Sequence, residues 1–98
     1  MSLPIALHRA ASAEFIEASA WYESKRFGLA LEFIAEIDRC ISQASEQPLQ
    51  YAVVRDGIRR VVAHRFPYSI YFRTEEHRIV ILAVFHGSRD PAIWQSRA

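Results

Sequence analysis

The stretch RIVILAVFHGSRDPAIWQSR, residues 78–97, decides how the rest of the chain is read. From Ile79 to Phe85 every residue is apolar, on both parities of a two-residue alternation. That pattern marks a central strand covered on both faces. The run stops at His86-Gly87-Ser88-Arg89-Asp90-Pro91, and Trp94 follows. Pro91 limits the backbone where the chain leaves the sheet. His86 and Arg89 stand at the strand's end, where side chains can be aimed at a ligand. Trp94 is expected to pin the tail back into the core beside Phe85. Asp90 is expected to cap the last turn or pair with Arg89. In the simplest reading His86 donates to a backbone carbonyl in the turn.

Upstream of this strand the period is mixed. Tyr68, Ile70 and Phe72 alternate with Ser69, Tyr71 and Arg73, giving a strand with one apolar and one mixed face. Thr74-Glu75-Glu76-His77 is a polar turn. Residues 60–66 are strand-like until Phe66-Pro67 interrupts them, and Asp56-Gly57 is a hairpin-type turn dipeptide. In the first half, Leu3, Ile5 and Leu7 alternate with Pro4, Ala6 and His8, which predicts a short half-buried strand. Ser12 is expected to cap a helix carrying Phe15, Ala18 and Tyr22 and ending at Gly28. Leu29, Phe33, Ile37, Cys40, Ile41 and Ala44 then fall three and four apart, and Pro48 stops this second helix. The predicted order is β-α-α-β-β-β: an α+β fold with a small, mainly antiparallel sheet and a helical hairpin packed on one face.

A chain of 98 residues supports one modest core, so residues 1–98 are expected to form one domain. No apolar run approaches the roughly 20 residues that span a bilayer, and the N-terminus lacks a signal-peptide pattern. The single cysteine, Cys40, has no partner for an internal disulfide, so a cytoplasmic location is expected. Cys40 itself reads as a small buried helix residue. The net charge of +1 conceals an asymmetry. Residues 1–54 carry 4 basic against 7 acidic groups, and residues 55–98 carry 8 arginines against 4 acids. All cations but Lys25 are arginine, whose planar fork suits carboxylate and phosphate. The histidines His8, His64, His77 and His86 lack the close spacing of metal ligands, so neither a metal nor another cofactor is expected.

Three segments in this order, WYESKRFGLALEFIAEID at 21–38, RFPYSIYF at 65–72 and ILAVFHGSRDPAIWQSR at 81–97, resemble the RelE/ParE superfamily of type II toxin–antitoxin toxins. The last, with His-Gly-x-Arg-Asp-Pro-x-x-Trp after an apolar strand, is similar to the ParE-like, plasmid-stabilisation branch. The resemblance implies a small cytoplasmic toxin that a cognate antitoxin neutralises through an acidic, amphipathic segment, in a toxin–antitoxin hetero-oligomer. It also implies one of two targets. ParE-like members poison DNA gyrase without catalysing a reaction. RelE-like members are ribosome-dependent endoribonucleases that cut messenger RNA.

The nuclease needs a base, an acid and cations around a phosphorane. His64, His86, Arg65, Arg73 and Arg89 are the residues that would supply them. Nucleases of this resemblance often place an arginine directly after the tyrosine that opens the penultimate strand; here Ser69 follows Tyr68. The gyrase reading is therefore favoured, with no catalytic residue and with Arg65, Arg73, His86, Arg89 and Arg97 as the expected target-contact residues. A degenerate, non-toxic binding module is a third alternative. Sequence-specific DNA binding is not expected, since no helix carries a basic face suited to a major groove.

Overall fold

The computed structural model describes residues 2–97. Strand β1 (Ile5–Leu7) leads into helices α1 (Arg9–Lys25) and α2 (Leu29–Glu46). A 3-10 turn (Pro48–Gln50) is followed by β2 (Val53–Arg55), β3 (Ile58–Val62), β4 (Tyr68–Thr74) and β5 (Ile79–His86). A short helix α3 (Ala92–Gln95) ends the described chain. The sheet order is β1-β5-β4-β3-β2, with β1 parallel to β5 and the other neighbours antiparallel. This is the predicted α+β fold, with β2 and α3 added to the predicted order. β2 escaped the sequence reading because its residues are all exposed, so no burial pattern marks them. The turn at Asp56-Gly57 is as expected: both residues have positive φ, 47° and 79°, which a tight hairpin of this hand requires.

β5 holds the molecule together. Ile79 to Phe85 are all buried. On one face Ile79, Ile81 and Val84 pack with Phe33, Ile37, Cys40 and Ile41 of α2, and with Phe72 of β4. On the other, Val80, Leu82, Ala83 and Phe85 pack with Ile58, Tyr71 and Trp94. A bulge makes this division possible. Tyr71 pairs with Ala83 and Phe72 with Ile81, so Leu82 is the extra residue and falls on the same face as Ala83. The stripe expected on α2 is the stripe that is buried. Cys40 lies within it, fully buried, and burial pushes its thiol up to about 11, away from nucleophilic use.

Four sequence expectations are corrected. Ser12 does not cap α1; His8 does, its Nδ1 accepting from the Ala10 N–H at 3.0 Å. α1 ends at Lys25 rather than at Gly28, which instead takes the left-handed conformation (φ 84°) at the start of α2. Glu23 of α1 accepts the Gly28 and Ala30 N–H groups and so caps α2 from outside it. In β1, Ile5 and Leu7 are exposed although they share the face of their partners Ile79 and Ile81, because β1 is an edge strand; Ala6, and Leu3 just before the strand, are the residues that pack against the core. The strand expected over 60–66 is displaced to Ile58–Val62, and the chain then turns through Arg65 at φ 70°.

Candidate functional site

β1 pairs only with Ile79–Ile81, the first part of β5. Beyond Ile81 no strand among the described residues lies beside the same edge of β5. Its backbone groups are met instead by side chains, as buried polar groups must be. The Glu14 carboxylate of α1 accepts the Val84 N–H at 3.1 Å, and Arg97 Nη1 donates to the Leu82 carbonyl at 3.1 Å. Glu14 and Arg97 also bind each other, through contacts of 2.9 Å from both Nη atoms. Arg89 adds a further bond to Glu14 at 2.7 Å. The Glu14 and Arg97 side chains are only 10% and 11% exposed, so the triad is a nearly buried pair joined by the half-exposed Arg89.

A cleft of about 470 Å³ lies beside this edge, between α1 and the ends of β4 and β5. Ala10, Ala13, Glu17 and Trp21 form its helix wall, and Tyr68, Val84, His86, Arg89 and Arg97 face them. It continues over Tyr22, Pro67 and Ser88. The small side chains Ala10 and Ala13 are what leave room between helix and strand. Tyr68 is held by an aromatic cluster with Tyr22 and Phe33, and burial pushes its hydroxyl pKa up. The His86 ring meets the Tyr68 ring edge-on, with centroids 5.1 Å apart.

His86 is not oriented as expected. Its Nδ1 accepts the Ser88 N–H at 3.0 Å, with the Ser88 hydroxyl 2.8 Å away, rather than donating to a turn carbonyl. Nδ1 is therefore the acceptor, and the neutral ring carries its proton on Nε2. Arg89 lies over the Phe85 ring at 4.6 Å, with its side chain 39% exposed. His86 and Arg89 are thus brought together at the cleft mouth, and Arg97 lies behind them in the triad.

Arg65 and Arg73 are elsewhere. Arg65 sits on the β3–β4 connection, pairs with Glu32 of α2 at 2.8 Å and lies over Phe66. His64 is beside it and is exposed, its backbone N–H donating to Glu36. Arg73 pairs with Glu75 at 3.2 Å, at the opposite end of β4 from Tyr68, roughly 17 Å away by strand rise. Asp90 caps the tail helix by accepting the Ala92 N–H at 3.0 Å. Trp94 is buried and stacked on Tyr71 at 4.0 Å, the core role expected for it. Glu14 and Trp21 were not picked out as site residues, and Tyr22 was expected only on the buried stripe of α1. A signal for Glu14 existed: it falls on the helical spacing of the buried residues Ala11 and Ala18, where an acid needs a partner.

Among the described residues no cluster of His, Cys, Asp or Glu could hold a metal ion. Among them, too, no helix is long and apolar enough to cross a membrane.

A family model described as the ParE toxin of type II toxin–antitoxin system, parDE, matches residues 5–91. No curated protein gives a match. Among solved structures, the chain is similar to one titled "Chromosomal ParDE TA system from P. aeruginosa", with a TM-score of 0.73 and 22% identity. The match covers 87% of this chain and 96% of that one. At that identity the likeness carries the fold. The family match ends at Pro91, before Trp94 and Arg97.

Proposed function

The chain belongs to the ParE toxin family of type II toxin–antitoxin systems, and from that premise we propose that it is a cytoplasmic poison of DNA gyrase, neutralised by a cognate antitoxin. The observation that carries the choice of target is the dispersal of the cationic candidates. A phosphorane needs several charges converging on one point. Here Arg65 and Arg73 are bound to Glu32 and Glu75 in separate regions, and Arg97 is buried against Glu14. Only His86 and Arg89 remain together, and the tautomer of His86 makes its outward nitrogen a donor rather than a base.

A poison asks for a contact surface instead. Trp21 is 56% exposed on the helix wall, opposite Arg89 and His86, and tryptophan and arginine dominate the energetics of interfaces. On this reading His86 and Arg89 form the central contact, while Arg65 and Arg73 serve as peripheral charges. The antitoxin supplies an acidic, amphipathic segment that orders on the toxin.

The test is expression without antitoxin. Growth should stop with induction of the DNA-damage response and with messenger RNA intact. Purified protein should trap or inhibit gyrase in a supercoiling assay. Ribosome-dependent cleavage in the decoding site, without a DNA-damage response, would replace this reading with the endoribonuclease.

A further inference from the structure

The turn that follows β5 is closed twice. The Arg89 N–H donates to the His86 carbonyl at 3.2 Å, and the Ser88 N–H donates to His86 Nδ1 at 3.0 Å. A backbone amide can only donate, so Nδ1 must keep its lone pair. The Ser88 hydroxyl, 2.8 Å from the same nitrogen, therefore donates as well. The ring is also held from β4, where it stands edge-on to Tyr68. The Gly87 N–H ties the turn to the Pro67 carbonyl, just before β4, at 2.8 Å. Tautomer and orientation are thus both set, and the Nε2–H is left at the cleft, without a hydrogen-bond partner among the described residues.

The charges around that nitrogen leave no cation to spare. Glu14 and Glu17 come from α1, and Arg89 and Arg97 from the tail. Both arginines are bound to Glu14, while Glu17 has no partner among the described residues. An incoming anion would meet Glu17 with no free cation to offset it, whereas a neutral oxygen acceptor would not.

From this geometry we infer that Ser88 is a positioning residue of the toxic contact, and that the contact is a hydrogen bond from His86 Nε2–H to an uncharged carbonyl oxygen of the target. The inference rests on the toxin reading, but not on the choice of gyrase. Ser88 acts only through His86: its two donors occupy Nδ1 and so keep the proton on Nε2. The residue type at 86 follows from this division of work. An asparagine would close the same turn, because its side-chain oxygen accepts the N–H two residues on. It would leave nothing to donate into the cleft.

Substitutions at His86 separate holding the turn from donating. His86→Asn should keep Tm, while the expression needed to arrest growth rises at least about tenfold. His86→Gln restores a neutral N–H donor without the anchor and should recover part of the loss; His86→Lys should recover none. Ser88→Ala removes one donor to Nδ1 and should raise the required expression about threefold, with Ser88→Thr restoring it. Long-range proton–nitrogen NMR of the unmodified chain, at mildly alkaline pH, should show the His86 proton on Nε2 alone. Ser88→Ala should bring in the Nδ1–H form, which a merely structural serine would not do. Full growth arrest by His86→Asn, greater recovery by lysine than by glutamine, or a ring spectrum unchanged by Ser88→Ala overturns the inference. If the unmodified chain arrests no growth, the toxin reading fails by itself, and the NMR signature alone decides whether Ser88 holds the ring. Arrest without gyrase inhibition would remove only the gyrase target.

Discussion

Arg97 and Glu14 face each other across the open edge of β5, with both Nη atoms of the arginine 2.9 Å from the carboxylate. The pair ties the C-terminal tail to α1, and through Leu82 and Val84 it closes the backbone that β1 leaves bare. Because both side chains are nearly buried, removing Glu14 leaves Arg97 charged and poorly solvated, whereas removing Arg97 leaves Glu14 its bond to Arg89. Glu14→Ala should destabilise the fold by roughly 3–5 kcal/mol, and Arg97→Ala by less. Arg97→Met combined with Glu14→Leu should cost less than Glu14→Ala alone. Urea unfolding of the single and double variants checks this, and additive losses would show that the two residues act separately.

Trp94 gives a second expectation. It stacks on Tyr71 and closes the smaller core over Phe85. Trp94→Ala should therefore lower stability by about 3–5 kcal/mol. A drop of more than about 10 °C in Tm is the readout. The indole N–H is buried with no hydrogen-bond partner among the described residues. Trp94→Phe, which removes that N–H, should consequently cost less than about 1.5 kcal/mol. If Trp94→Ala leaves Tm unchanged while toxicity is lost, the tryptophan is a contact residue.

How much of this was legible beforehand depends on the range of each interaction. β5 was legible because burial on both faces is a local pattern, and Asp56-Gly57 because turn chemistry is local. The buried stripe of α2 was legible for the same reason. The exposure of Ile5 and Leu7 was not, since alternation shows which residues share a face and not how far a strand at the sheet's edge is covered. The triad was illegible because Glu14 and Arg97 lie at opposite ends of the chain. The orientation of His86 depends on the Ser88 N–H, a turn detail that residue types alone leave open. Thus the strand end that carries the candidate site was visible, while the partners that divide its cations between structure and surface were not.

Acid stability should carry the signature of Glu36. The Arg39 guanidinium and then the His64 N–H hold its carboxyl at about 2, below the ordinary 4.5. The carboxyl is depressed in the folded state, so its contribution is fully present above pH 4.5 and is lost as pH falls towards 2. With the side chain 14% exposed, the contribution is roughly 1–3 kcal/mol. Glu36→Gln should lower stability at neutral pH and flatten the acid limb of a stability–pH curve measured by urea unfolding. An unchanged limb would mean that other carboxylates govern acid unfolding.

Association with the antitoxin should be only moderately sensitive to salt. The second half of the chain favours an acidic segment, yet Ile16, Phe27 and Leu31 expose large apolar side chains on and beside the helical hairpin. Apolar anchors are not screened, whereas surface charges are, over a Debye length of about 10 Å at 0.1 M salt. Between about 50 and 500 mM salt the Kd should weaken by less than about a thousandfold. A greater loss would mean that charge dominates and that these apolar groups lie outside the interface.

The sharpest expectation separates the arginines from one another. Arg89 lies at the cleft mouth, and its guanidinium is shared between Glu14 and the Phe85 ring. Arg65 and Arg73 pair with half-exposed carboxylates in separate regions. If the cleft is the toxic surface, Arg89→Ala should abolish most growth inhibition, while Arg65→Ala and Arg73→Ala should reduce it only in part. None of the three should unfold the protein, since exposed ion pairs contribute about 0–1 kcal/mol. Arg89→Ala leaves Glu14 paired with Arg97 and so avoids a stranded buried charge. Toxicity titrations at matched expression, with thermal unfolding as the control, would rank the variants. Equal losses at all three positions would indicate a diffuse electrostatic encounter, and a loss confined to Arg65 would move the toxic surface to the start of α2.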